Sequence, residues 1–145
     1  MATVKDLLKI KGDQVWTITP AHTVRSALEL MAEKNVGALV VIENDTVVGI
    51  FSERDYATGA VENEDFSLAT PVQKLMSSPV YGVTLSETVE NCITLMTEKR
   101  FRHLPVIDDG SLVGLISIGD LVKQSLSEKE KAIKDLEDYI WVHMI

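Results

Sequence analysis

Hydrophobic and polar positions along this chain alternate between the pattern of β-strands and the pattern of amphipathic helices. A short apolar segment, Val15 to Ile18, predicts a strand. The next stretch has the i, i+3, i+4, i+7 spacing of one buried helical face, at Val24, Ala27, Leu28 and Met31. Two apolar strands then flank a polar turn, Asn44-Asp45, which is typical of a hairpin, and a short helix follows. The pattern predicts a β-α-β-β-α unit.

The same pattern occurs a second time. Residues 15–57 overlay residues 80–122 at a constant offset of 65 without a gap, and fifteen of the 43 pairs are identical. The second copy has its own strand, Val80 to Val83, a turn at Asp109-Gly110, and a helical face at Val89, Cys92, Ile93 and Met96. A unit of about 60 residues is marginal alone. We therefore expect an α+β fold in which two repeats pack about a pseudo-twofold axis, with related pockets at the join.

The rest of the chain divides around these repeats. We assign residues 1–62 to the first repeat with an N-terminal helical turn, 71–125 to the second, and 127–145 to a C-terminal amphipathic helix. Thr23 and Thr88 are expected to cap the helices that follow them. In the last helix, charges of alternating sign surround an apolar line at Ile133, Leu136, Ile140 and Met144. Tyr139 and Trp141 either pack an interface or close that helix.

Composition limits the classes of function. The chain is 46% hydrophobic and 25% charged, as in globular proteins, and its net charge of −8 argues against nucleic acid or an anionic membrane as a partner. Its longest apolar run, residues 38–42, is too short to span a bilayer. The first residues lack the pattern of a secretory signal, and a single cysteine fits a reducing compartment. We expect a cytoplasmic protein.

The strongest chemical signal is a Ser-x-x-Asp sequence where a strand meets a helix, at Ser52/Asp55 and again at Ser117/Asp120. A helix start offers free N–H groups to a phosphate, and a carboxylate there can accept hydrogen bonds from the vicinal hydroxyls of a ribose. The same sequence also resembles a capping box, which needs no ligand. Repetition alone does not decide between these interpretations.

The whole repeat resembles the CBS domain, the module named after cystathionine beta-synthase. The motifs are Gly-Ala-Leu-Val-Val-Ile (37–42), Gly-Ile-Phe-Ser-Glu-Arg-Asp (49–55), Arg-Phe-Arg-His-Leu-Pro-Val-Ile-Asp (100–108) and Leu-Val-Gly-Leu-Ile-Ser-Ile-Gly-Asp-Leu (112–121). The resemblance implies a tandem pair, or Bateman module, whose two clefts bind adenosine-containing ligands. AMP, ADP or ATP is expected, with S-adenosylmethionine and NADH as further candidates.

The resemblance also implies which residues form each cleft. In the family the aspartate holds the ribose, the serine meets ribose or phosphate, and the other repeat encloses the base. One cleft would use Asp120, Ser117, Arg102, His103, Trp16, Thr17, Val36 and Gly37. The other would use Asp55, Ser52, Tyr81, Gly82, Phe101 and Arg102, with Arg54 either meeting phosphate or pointing into solvent. We rank the Asp120 cleft first, because the first repeat has Gly37-Ala38 where the second has Arg102-His103.

Catalytic and metal chemistry have no support in the sequence. There is no P-loop, no nucleophile with a nearby base, and no metal-ligand spacing around His22 or His143, which are interpreted as surface groups. Cys92 falls on a buried helical face. We expect a regulatory module that binds an adenine nucleotide, forms a homodimer and signals to an unidentified protein. The alternative is a ligand-free scaffold with vestigial clefts.

Overall fold

The structure, a computed structural model, describes the backbone of residues 1–143 and the side chains of residues 1–140. Trp141, His143 and Met144, to which the sequence interpretation gave surface or packing roles, have side chains outside these described residues. The elements are α1 (Val4–Lys11), β1 (Thr17–Ile18), α2 (Val24–Lys34), β2 (Ala38–Glu43), β3 (Thr46–Ser52), α3 (Glu53–Glu62), a 3-10 turn (Val72–Lys74), α4 (Val89–Lys99), β4 (His103–Asp108), β5 (Ser111–Ser117) and α5 (Ile118–His143).

The first repeat is built as the periodicity predicts, except that β1 is shorter than residues 15–18. β1 pairs in parallel with β2, and β2 pairs antiparallel with β3. The hairpin turns through Asn44 and Asp45, whose φ angles are 52° and 61°. Two consecutive residues with positive φ are what a type I′ turn requires, and Asn and Asp tolerate that conformation better than most side chains.

The second repeat has the same hairpin, β4 with β5, and the same bulge two residue pairs before the turn. The strand predicted over Val80 to Val83 does not form. Only Val83 forms an isolated parallel bridge, to Val106, so this sheet has two strands where the first has three. The segment before Val83 instead reaches the wall of a cavity described below.

Both long helices begin at the predicted caps. The side chain of Thr23 accepts the N–H of Ser26, and that of Thr88 accepts the N–H of Asn91. The apolar positions of α2 and α4 lie in the two cores, and Cys92 is fully buried. Burial raises the pKa of the Cys92 thiol to about 11, which keeps it protonated and unreactive.

The segments that precede the repeats are exchanged between them. The N-terminal helix α1, which we had assigned to the first repeat, packs Val4, Leu7 and Leu8 into the core of the second. The 3-10 turn before the second repeat contributes Val72 and Leu75 to the core of the first. A matched pair of bridges, Thr3 with Thr88 and Pro71 with Thr23, anchors the exchange. The core of each repeat is therefore completed by the segment that precedes the other repeat.

The C-terminal helix is not a separate element. The sequence interpretation placed a new helix after residue 127, whereas α5 runs without interruption from Ile118 to His143, over 26 residues. Its first turns pack against α4 and α1, and Leu121 is fully buried. The helix that follows the second Ser-x-x-Asp sequence is thus the same helix that carries the charged C-terminal stretch.

Candidate functional site

Both Ser-x-x-Asp sequences form helix-start hydrogen bonds. The Asp55 N–H donates to Ser52 Oγ at 3.2 Å, and the Ser52 N–H donates to Asp55 Oδ2 at 2.9 Å. In the second copy the Asp120 N–H donates to Ser117 Oγ at 3.1 Å, and the Ser117 N–H donates to Asp120 Oδ2 at 2.8 Å. The capping interpretation is therefore satisfied in both repeats. It does not exclude a ligand, because each carboxylate has two oxygens with about four acceptor sites in all.

A cavity of about 760 Å³ lies beside Asp55. Its polar wall comes from the first repeat through Ser52, Arg54 and Asp55 and from the second through Arg102 and His103. Its apolar wall is formed by Ile50, Leu75, Pro79, Val80, Met96, Phe101 and Ile118. This volume and this mixture of apolar surface with a few polar groups are typical of small-molecule sites. Because both repeats contribute, a ligand here would contact both at once.

The lining of this cavity is basic although the whole chain carries a net charge of −8. It includes four cationic side chains, Arg54, Lys74, Arg100 and Arg102, against two carboxylates, Asp55 and Glu62. Arg54 lines the cavity and is also exposed, so both alternatives for its side chain stay open. Such a concentration of positive charge in an acidic protein favours an anionic ligand.

Sequence reasoning missed two of these cations, Lys74 and Arg100. A signal for Arg100 was present, because it opens the basic Arg-Phe-Arg-His segment. Arg100 ends α4 in the left-handed conformation, with φ 60°, at the position where the first repeat has Asn35 with φ 54°. The left-handed conformation is common at the end of a helix, and Asn accepts it more readily than Arg.

The carboxylate of Asp55 is oriented from two sides. While Oδ2 takes part in the capping box, Oδ1 accepts a hydrogen bond from the hydroxyl of Ser77 at 2.7 Å. Ser77 also exchanges backbone hydrogen bonds with Ile50, which fixes its position. Among the described residues no cationic side chain is hydrogen-bonded to Asp55, and Asp55 lines the cavity.

The carboxylate of Asp120 has a different partner. The ammonium of Lys11, the last residue of α1, forms a salt bridge with Asp120 Oδ2 and also donates to the carbonyl oxygen of Leu115. Partial burial alone would raise the pKa of Asp120, but the hydrogen bonds from Lys11 and Ser117 outweigh it and lower that pKa. A side chain of the protein thus already binds one of the two oxygens of the carboxylate that the sequence assigned to a ribose.

His103 lies where the two sites meet. It pairs with Ser117 across the hairpin and also lines the cavity beside Asp55. Burial is the largest influence on its pKa and lowers it, the charge of Lys11 lowers it further, and Asp55 and Asp120 only partly oppose this shift. The imidazole is therefore neutral at pH 7.

The remaining predicted residues are dispersed. Phe101 lines the cavity and contacts the ring of Tyr81, with centroids 6.0 Å apart, whereas Tyr81 itself is half exposed. Gly82 lines a separate cavity of about 570 Å³ near the hairpin turns. The four residues that the sequence placed around the base in the Asp120 cleft do not line the cavity beside Asp55, and that placement stays a prediction. Trp16 and Val36 pack on the first core, Thr17 pairs with Val40, and the carbonyl of Gly37 accepts the N–H of Glu53.

The described residues contain neither a candidate metal site nor a candidate membrane span. No group of three or more His, Cys, Asp or Glu side chains is arranged to hold a metal ion within the part of the chain that the structure describes. Over the same residues, no helix is both long enough and apolar enough to cross a bilayer.

Comparison with known proteins finds the same repeat elsewhere. The CBS domain family model matches residues 4–60 and again residues 72–127. The CBS domain-containing protein CBSX3, mitochondrial, of Arabidopsis thaliana is 36% identical over 147 residues, which cover 95% of this chain and 71% of that protein. Since that relative is named as mitochondrial, a cytoplasmic location of this chain stays a prediction.

Solved structures show the same architecture. The CBS-domain containing protein ATU1752 of Agrobacterium tumefaciens is 37% identical, with a TM-score of 0.79 over 86% of this chain and 99% of that one. CBSX2, solved in complex with AMP, is 30% identical, with a TM-score of 0.67 over 89% of this chain and 99% of that one. The predicted α+β fold of two tandem repeats with a C-terminal helix is confirmed.

Proposed function

Because this chain belongs to the CBS domain family and carries the domain twice, we propose that it is a nucleotide sensor whose principal site is the cavity beside Asp55. Stand-alone proteins of this family are regulatory modules and not enzymes. The observation that carries the proposal is the concentration of four cationic side chains around one cavity made by both repeats, beside the carboxylate of Asp55, whose hydrogen-bond partners are neutral. The ligand we propose is an adenine nucleotide, AMP, ADP or ATP.

Each part of such a ligand has a counterpart in the cavity. Asp55 has acceptor capacity for the two ribose hydroxyls, and the apolar wall around Val80 and Phe101 offers a surface for the base. Arg102 and Arg100 can meet the phosphates, since a guanidinium presents a planar fork of donors that matches phosphate oxygens. AMP bound to CBSX2 supports an adenosine ligand in this architecture. S-adenosylmethionine lacks phosphate and suits the basic lining less well.

The proposed ranking of the clefts is opposite to that drawn from the sequence. The sequence favoured Asp120 because it counted His103 with that cleft alone and Arg102 with both clefts. Both residues line the cavity beside Asp55, and Lys11 competes for the carboxylate of Asp120. A nucleotide beside Asp120 would have to displace an ammonium group that is already bound there.

Binding would be transmitted as a shift in population. The cavity wall combines Asp55 of the first repeat with Arg102 of the second, so a ligand favours the relative orientation of the repeats that lets it contact both. A regulated protein would then respond to that orientation. We propose that the module acts on such a partner and works as a homodimer. Leu30 and Leu95 lie off the main apolar faces of α2 and α4, which makes them candidates for a dimer surface. Both are half buried against the two cores, so the dimer needs further apolar surface.

The test is ligand-induced stabilisation followed by calorimetry. A ligand that binds only the native state raises the free energy of unfolding by about 2.7 kcal/mol at a hundredfold excess over its Kd. We expect AMP, ADP or ATP to raise the melting temperature, and NADH and S-adenosylmethionine to raise it less. If no adenosine compound raises it at millimolar concentration, the chain is the ligand-free scaffold with vestigial clefts.

A further inference from the structure

The outer part of α5 carries large apolar side chains that the described chain does not cover. Every described residue from 126 to 140 is exposed. The apolar side chains with their exposed fractions are Val122 (44%), Leu126 (53%), Ile133 (58%), Leu136 (60%) and Ile140 (45%). A helix of this kind has little stability of its own in water and gains it by packing its apolar face.

The spacing of these side chains identifies the kind of partner. Starting at Val122, the positions on this side of the helix are Val122, Leu126, Lys129, Ile133, Leu136 and Ile140, which we call the α5 stripe. Successive members are separated by alternating intervals of four and three residues. This is the seam of a left-handed coiled coil, with a mean period of about 3.5 residues, and its partner is another α-helix.

The charges beside the stripe make it complementary to itself. Lys123 and Glu137 lie on the same flank near opposite ends, so a second α5 running antiparallel places Lys123 of each copy beside Glu137 of the other. The other flank carries the small residues Ser125 and Ala132, which allow close approach near the centre, and Tyr139 at its outer end. A parallel pair would instead set the two Lys129 ammonium groups against each other within the seam.

We propose that two copies of this chain associate through antiparallel pairing of their α5 stripes. In this register Leu126 of one copy lies opposite Leu136 of the other, and Ile140 lies opposite Val122. Lys129 then lies opposite Ile133 of the other copy. The two Glu130 side chains come together near the centre of the pair, and the ammonium of each Lys129 can reach the Glu130 of the other copy. A twofold arrangement of this kind uses the same surface on both copies and closes at two.

This assignment rests on the proposed homodimer and connects it to the proposed nucleotide site. The first residue of α5, Ile118, lines the cavity beside Asp55, and its N–H donates to the carbonyl of Arg102 at 3.0 Å. The helix spans about 39 Å at 1.5 Å per residue. A ligand in the cavity would therefore contact the base of the helix whose outer turns join the copies.

Sedimentation or light scattering on the full chain tests the pairing. We expect a mass twice the 16.0 kDa of the chain. Ile133→Glu places a carboxylate in the centre of the stripe and should raise the dimer dissociation constant at least ~10-fold. Ser127→Glu makes the same change of charge at an exposed position off the stripe and should leave that constant unchanged. Ser127→Glu should keep the circular dichroism of the wild type, whereas Ile133→Glu should lose part of the helical signal, because the outer turns of α5 lose their packing. Nucleotide affinity should be the same for both variants.

Cysteine cross-linking tests the orientation, because the native Cys92 is fully buried and does not compete. A mixture of Leu126→Cys and Leu136→Cys proteins should form a covalent dimer on oxidation, whereas each variant alone should not. Dimers from each variant alone would establish a parallel pair and overturn the antiparallel assignment. An Ile133→Glu protein that stays as dimeric as the wild type would overturn the stripe while leaving the homodimer in place. A monomeric wild-type protein would overturn both the α5 pairing and the homodimer. The proposed nucleotide site is tested separately, by the ligand-binding assay.

Discussion

The two aspartates that end the matched Ser-x-x-Asp sequences occupy equivalent places and have different partners. Asp55 accepts a neutral hydroxyl, from Ser77, beside a large basic cavity, whereas Asp120 is held by the ammonium of Lys11. Their capping boxes are otherwise alike, with backbone hydrogen bonds that agree to within 0.1 Å. Duplication thus preserved the helix starts, and the difference comes from the segments packed against them.

Those segments are the exchanged pieces that precede each repeat. Leu8 approaches Gly114 just as Met76 approaches Gly49, and a Cβ added to either glycine would lie within 3.0 Å of that side chain. The two segments then diverge, because α1 continues to Lys11 whereas the corresponding chain turns away through Pro79. A proline cannot supply the ammonium group that Lys11 places at Asp120. One carboxylate is therefore bound by a cation from the protein itself, and the other is bound by neutral groups only.

The largest expected effect comes from the carboxylates. Asp55→Asn keeps an oxygen for the capping box but removes the charge, and should weaken nucleotide binding by about 100-fold, since charge-assisted hydrogen bonds contribute roughly 1.5 to 3 kcal/mol each. Asp120→Asn is the matched control and should change the Kd by less than about threefold. Calorimetry with AMP measures both. A greater loss for the Asp120 variant would restore the ranking drawn from the sequence.

The next effect concerns the phosphates. Arg102→Ala should weaken AMP binding by about 10-fold or more while leaving adenosine nearly unaffected, because its proposed role is to meet phosphate oxygens. Arg25→Ala, at an exposed position on α2 outside the cavity lining, is the control. Equal losses for AMP and adenosine would make Arg102 a structural residue.

The third prediction concerns the Asp120 cleft, where Lys11 binds the carboxylate. Lys11→Ala removes the ammonium from Asp120 and should add a second, weaker nucleotide site per chain, detected as increased stoichiometry in calorimetry. The free energy of unfolding should fall by only about 0 to 1 kcal/mol, because the pair is partly exposed. Lys9→Ala alters the same last turn of α1 without touching Asp120. Unchanged stoichiometry in the Lys11 variant would show that something other than Lys11 closes that cleft.

The smallest expected effect is a pH dependence from His103. Its pKa in the folded protein lies below the ordinary value of 6.5, so just below that pH the unfolded chain binds more protons than the folded one. The free energy of unfolding should therefore decrease as the pH falls below about 6.5. His103→Gln should flatten this part of the curve in denaturant titrations at several pH values. An equally steep curve in the variant would assign the dependence to other groups.

Much of the fold could be predicted from the sequence because its signals are local. Helical spacing placed the faces of α2 and α4, the Asn44-Asp45 turn placed a hairpin, and the repeat at an offset of 65 implied paired clefts. The prediction of a strand over residues 80–83 was wrong, because a pattern of four residues cannot show whether a neighbouring strand will be available for pairing. The break expected near residue 127 failed because the change in composition there reflects a change from burial to exposure along one helix.

The sequence alone determined the two repeats, their helix caps and the residue types that a nucleotide requires. Only the tertiary structure decided which of those residues meet. Lys11 and Asp120 are 109 positions apart, and no local pattern links them. Arg102 lies directly before β4, and the strand paired with β4, β5, ends at Ser117. Arg102 nevertheless lines the cavity beside Asp55, because packing between the two repeats sets which cleft it faces. Periodicity reports the neighbours along an element, whereas the contents of a cleft between repeats depend on how whole elements pack.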